Sequence, residues 1–277
     1  MPRWAAFVGL TGLLLTALLA LARLSQRQFS ADDRGPSVSP TQADRLRRDG
    51  GTGDPTIPRF ETAEAARRRR HLERQLEPDA LSTGALLANV ALTQGLFGVL
   101  VVAGAFYFAI PPAALGVAPT PLSTGPPAVA VGVGAGVGFW LGNEAAASVA
   151  EGFGVAFDES LRGLLAPDSP GGWLLLLGAI LPLIAVVEEL LFRAAAIGVP
   201  VAGLGAPAWA MVVVASVAFG LGHGAQGTVG IVVTGALGAG LGALFVVTDS
   251  LLAVVVAHYL VNALELVVHE GLGVDRL

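Results

Sequence analysis

The stretch WLLLLGAILPLIAVVEELLFRAAAI, residues 173–197, decides the fold. At 1.5 Å per residue it is long enough to cross a hydrocarbon layer of about 30 Å. A backbone in lipid must satisfy its own N–H and C=O groups, so the segment reads as a helix. Comparable apolar stretches lie at 5–22, 84–110, 128–150, 208–223, 227–247 and 250–268, divided by Pro111-Pro112, Pro126-Pro127 and Asp168-Ser169-Pro170. Their valine content would favour strands in water, but the membrane overrules that preference. The expected fold is an all-α, polytopic transmembrane bundle of about seven helices.

Composition agrees. The chain is 54% hydrophobic and 13% charged, with a mean hydropathy of +0.70, whereas soluble domains are about one-quarter charged. A water-soluble protein is excluded. The absence of cysteine excludes disulfides, thiolate metal sites and thiol nucleophiles, as well as prenylation or palmitoylation of the chain itself.

All sixteen cationic residues are arginine, and twelve of them lie between Arg23 and Arg74. The organisation follows from that skew. Residues 1–24 form an N-terminal transmembrane anchor, 25–80 a polar, arginine-rich and partly disordered linker, and 81–277 the membrane core. Arg3 ahead of the first span and Arg23 and Arg27 behind it favour a retained anchor whose C-terminal side is cytoplasmic. A cleaved leader is the competing reading, since Ala20-Leu21-Ala22 resembles a small-residue cleavage site. In the linker, the run Arg67-Arg68-Arg69-Arg70 is interleaved with Glu61, Glu64, Glu73 and Glu77, which cancel most of the field that phosphates would feel. No nucleic-acid partner is expected. Glycines at 132, 134, 136, 138 and 142, and at 235, 238, 240 and 242, give small-xxx-small spacings that predict close helix packing. The segments do not divide into duplicated halves, which takes support from an alternating-access transporter.

Ionisable groups in apolar helices cost about 2.5–3.5 kcal/mol each on insertion scales, so each is a functional candidate. Glu188-Glu189 with Arg193, then His223, then His258 with Asn262 qualify. Glu189 and Arg193 stand four apart and share a helix face, where carboxylate and guanidinium neutralise each other. Glu188 is rotated by about 100° and is left to work. His258 and Asn262 are again four apart, which lets both donate to one oxygen, the requirement of an oxyanion site. With the 198–207 and 248–250 turns on the same side of the membrane, Glu188 and His258 lie about 12–15 Å deep, Asn262 about 18 Å and His223 about 22 Å. Asn143, Glu144 and Glu151 either line an access path or, as the stronger reading, mark an interfacial helix end before a partly exposed stretch through Arg162.

Glu188-Glu189-xxx-Arg193, Phe219-xxx-His223 and His258-xxx-Asn262, in that order across 173–268, resemble the CPBP family: the Ras-converting-type CAAX prenyl endopeptidases, bacteriocin-processing or immunity proteins and their prokaryotic relatives. The resemblance implies an intramembrane glutamate endopeptidase. In that family's terms Glu188, assisted by His223, activates water, His258 and Asn262 hold the oxyanion, and Glu189 and Arg193 support them. It further implies a multi-pass protein of the cell membrane whose partners are the lipid bilayer and a peptide or protein substrate, prenylated or otherwise membrane-associated. No cofactor is expected, although two histidines and a glutamate also suit a zinc site with an open position for water. Two other function classes fit the same residues: a non-catalytic immunity or scaffold protein, and a transporter using the cluster as a proton relay.

Overall fold

A computed structural model describes residues 1–32, 83–152, 163 and 165–274. The arginine-rich linker, including the Arg67–Arg70 run, lies outside these residues. The chain divides into two compact units, Met1–Arg23 with Ser82–Leu277, and Leu24–Leu81; the architecture that follows is that of the first.

It is built from helices, with no strand among the described residues. In chain order these are α1 (Trp4–Asp32, which belongs to this unit through Arg23), α2 (Thr83–Tyr107), α3 (Pro126–Gly152), α4 (Pro170–Leu204), α5 (Ala208–Gly222), α6 (Gly227–Thr248) and α7 (Leu251–Gly271). Five spans are long and apolar enough to cross a membrane, in α1, α2, α4, α6 and α7. The other two expected segments are helical as well. The 15 residues of α5 reach only about 22 Å, and α3 is diluted by its glycines and by Asn143 and Glu144.

Prolines shape α4. Pro182 and Pro200 cannot donate the i→i−4 hydrogen bond, and each follows a stretch of wider π-helix, Leu176–Ile180 and Leu190–Gly198. The second wide turn begins directly after Glu189 and carries Arg193. Such turns re-aim side chains without ending a helix, and they recur at functional sites.

Three apolar clusters hold the bundle. Phe7 and Leu14 of α1 pack with Phe97 and Val101 of α2, Leu191 of α4 and Phe219 of α5. Ile197, Val212, Leu241, Phe245, Val254 and Ala257 join α4, α5, α6 and α7. Leu87, Leu176, Ile180, Leu181, Ala263 and Leu266 join α2, α4 and α7. The small-residue spacings act at two crossings. A Cβ on Gly132 or Gly136 of α3 would stand 2.6 Å from the carbonyl oxygen of Ala253 and 2.9 Å from that of Ala257 in α7. One on Gly220 of α5 would stand 2.6 Å from the carbonyl of Ile231 in α6. Gly134, Gly138 and Gly142 meet nothing and lie on the outer face. A cleft lined by Ile197, Val201, Ala208, Phe245 and Asp249 brings the α4–α5 and α6–α7 turns together, which places them at one end of the bundle.

Candidate active site

Glu188 and Glu189 lie midway along α4, where successive residues point about 100° apart. Glu189 is fully buried and Arg193 is 1% exposed. The Arg193 Nη1 donates to Glu189 Oε1 at 2.6 Å, its Nη2 donates to the Gly238 carbonyl at 3.1 Å, and its guanidinium stacks 4.5 Å over the Phe219 ring. A buried guanidinium thereby acquires a counter-charge, a hydrogen-bond acceptor and a π face, which together offset its desolvation.

His258 enters from α7. Its Nδ1 lies 2.6 Å from the same Glu189 Oε1. A carboxylate in an ion pair can only accept, so Nδ1 carries the proton and Nε2 is turned outward. That Nε2 lies 3.8 Å from Glu188 Oε2, beyond direct hydrogen-bond length, so a water touching both would sit beside the line that joins them. Glu189 therefore pairs with Arg193, as its spacing predicts, and also orients His258. With Nδ1 engaged by Glu189, Nε2 is the ring nitrogen of His258 left to meet a further group.

The opposite oxygen of Glu188 is held by a residue that the sequence reading missed. Gln94 of α2 donates from Nε2 to Glu188 Oε1 at 3.0 Å. The Gln94–Glu188 contact joins positions 94 residues apart, and no local spacing announces it.

His223 caps the C-terminus of α5, and its Nδ1 lies 2.8 Å from the Phe219 carbonyl. A carbonyl only accepts, so Nδ1 donates and Nε2 keeps its lone pair. The Phe219 ring lies between the two imidazoles, 4.7 Å from His223 and 5.9 Å from His258 between centroids. Asn262 is half-buried one turn beyond His258 on α7, with no side-chain hydrogen bond among the described residues. Glu188, Glu189, Arg193 and His258 thus form one contiguous cluster, with His223 joined to it through Phe219 and Asn262 adjoining along α7.

Glu144 lies elsewhere. It is 3% exposed and pairs at 2.9 Å with His269, which stands in the last turn of α7. The apolar contacts of α7 with α3 carry that carboxylate into the bundle.

Fold and site together define a polytopic helical membrane protein with a carboxylate–imidazole–guanidinium cluster inside its bundle. Residues 170–264 match the family model described as Rce1-like, type II CAAX prenyl endopeptidase Rce1-like, and the chain carries a domain of that family over this span. The family is one of CAAX-type proteases, which supports intramembrane protease activity. No curated protein and no solved structure matches the chain. The matched span includes every residue of the cluster except Gln94.

Proposed function

We propose that this protein is an intramembrane endopeptidase of the cell membrane that hydrolyses a peptide bond in a membrane-associated substrate, with Glu188 as the base that activates water. The observation that carries this reading is the two-sided hold on Glu188. Gln94 holds Oε1, while Oε2 lies 3.8 Å from His258 Nε2. A water lying beside that pair would meet a proton acceptor in Oε2 and an imidazole, oriented by Glu189, in His258.

Attack of this water on the scissile carbonyl passes its proton to Glu188 and places negative charge on the carbonyl oxygen. The amide of Asn262 would donate to that oxygen, and His258 would join it as an imidazolium that has taken a second proton from solvent before the attack, with Nδ1–H on Glu189 and Nε2–H on the oxyanion, since both side chains project from one face of α7. Collapse of the tetrahedral intermediate breaks the C–N bond as the proton returns from Glu188 to the leaving amine. His223, with Nδ1 tied to its own helix, offers the Nε2 lone pair as the assisting acceptor.

The substrate we propose is a peptide with a lipid-modified cysteine near its C-terminus and further residues after it, with the prenyl chain lying in the bilayer beside the bundle. The test uses the full chain in lipid nanodiscs with quenched fluorescent peptides of one sequence, prenylated or bare. Glu188→Gln should lower cleavage by about 10²–10⁴-fold. Full activity in that variant would remove Glu188 as the base, and equal cleavage of the bare peptide would remove the lipid requirement.

A further inference from the structure

A second cluster of metal-ligating groups lies outside the matched domain. Glu144 of α3 and Glu265 and His269 of α7 each offer one ligand atom, and these atoms all lie within 4.8 Å of one another. Along α7, Glu265 and His269 stand about 10 and 16 Å beyond His258, so the cluster is separate from Glu188.

His269 is the informative member. Its Nδ1 lies 2.8 Å from the Val274 carbonyl, so Nδ1 donates there and Nε2 faces the carboxylates. Imidazoles that bind metals are commonly held this way, with one nitrogen donating to a carbonyl so that the other is presented to the ion. Nε2 then lies 2.9 Å from Glu144 Oε1 and 3.9 Å from Glu265 Oε2. Two ligands on one tetrahedral zinc, each bonded at about 2.0–2.2 Å, stand about 3.4 Å apart, and the two observed separations bracket that value. At 2.9 Å, Nε2 and Glu144 Oε1 share a proton, and it is this proton that a bound metal ion displaces from its ligands.

We propose that Glu144, Glu265 and His269 bind one divalent transition-metal ion of the zinc class, with an open fourth position for water. Two carboxylates neutralise the ion, and an imidazole with oxygen ligands suits zinc better than calcium or magnesium. The ion would clip the end of α7 to α3, so chelator sensitivity of this protein would report on the clip and not on the peptidase centre.

The experiment is zinc titration of metal-stripped full chain in nanodiscs by calorimetry, with X-ray absorption of the loaded wild type. One ion per chain is expected in wild type and in Glu188→Gln, coordinated by a single imidazole nitrogen among oxygens. His269→Gln and Glu265→Gln should each weaken binding by at least about tenfold, the loss that even changes behind the ligands bring. No zinc uptake by wild type would overturn the proposal and leave the cluster as a protonated imidazole held by carboxylates. Two imidazoles in the absorption spectrum, or loss of binding in Glu188→Gln, would also overturn it by moving the ion to the Glu188 site. The wild-type measurements decide the matter even where a substituted chain fails to fold.

Discussion

Glu189 Oε1 receives two donors, Arg193 Nη1 and His258 Nδ1, each at 2.6 Å, while Oε2 is buried and meets no donor among the described residues. An oxygen so placed makes Glu189 a clamp for its neighbours, and this separates its expected phenotype from that of Glu188. Glu189→Gln leaves the Arg193 guanidinium buried without its counter-charge, a change of about 3–5 kcal/mol for a broken buried pair. Thermal unfolding in detergent should show a clear loss of stability. Glu188→Gln, at a side chain 12% exposed, should abolish cleavage and leave the melting temperature nearly unchanged; equal destabilisation by both would show that the two carboxylates share one structural role. For Gln94, removal of one hydrogen bond to a charged group costs about 1.5–3 kcal/mol of stability, so Gln94→Leu should lower the melting temperature and, by releasing Glu188 Oε1, lower kcat as well. An unchanged kcat would mean that Glu188 needs no hold on Oε1. The Glu189–Arg193 pair was legible in the sequence because i,i+4 spacing fixes proximity without any knowledge of the fold. Gln94 and the Glu144–His269 pair were not, since each joins distant helices whose packing no local pattern records.

Between helices, the glycines supply the contrast. Gly136 faces the backbone of α7 at Ala257, whereas Gly134, two residues earlier, meets nothing. Leucine at 136 must push α3 and α7 apart, and overpacking of this kind costs about 1–3 kcal/mol. Gly136→Leu should therefore lower the melting temperature and also activity, because α7 carries His258, while Gly134→Leu should leave both close to wild type. Equal behaviour of the two would place the α3–α7 contact on another face. Small-residue spacing announced close packing in the sequence, yet the alternation of glycines at 132, 134, 136 and 138 left the contacting face open. The π turns were harder still to foresee. Pro182 and Pro200 are plain in the sequence, but a proline within a membrane helix is compatible with a kink, a break or a widened turn, and only the surrounding packing selects among them.

For the whole molecule, the unanswered quantity is the direction in which the bundle crosses the membrane, because the side from which water reaches Glu188 depends on it. The charge bias around α1 predicts that its C-terminal side is cytoplasmic, but a single short helix changes the parity of everything downstream, and α5 is such a helix. The natural absence of cysteine makes the chain its own background for labelling. α4 has 35 residues and extends about 52 Å, so its two ends must emerge on opposite faces of a bilayer about 40–45 Å thick with its headgroups. Gly171→Cys, at an open position near the start of α4, and Pro207→Cys, just past its end, should react with a membrane-impermeant maleimide from opposite sides. Val247→Cys should follow Pro207→Cys, because the α4–α5 and α6–α7 turns share a cleft. Ala225→Cys, in the turn beside His223, should react with a small methanethiosulfonate but slowly with a bulky polymer-linked maleimide, since about 22 Å of α5 ends short of the far surface. If Pro207→Cys and Val247→Cys label from different sides, the hairpin of α5 and α6 spans the membrane differently and the shared depth of Glu188, His223 and His258 is lost. If they label together, the face that carries them is the near side for the Glu188 site, and the reactivity of Ala225→Cys tells how far water follows the chain toward His223.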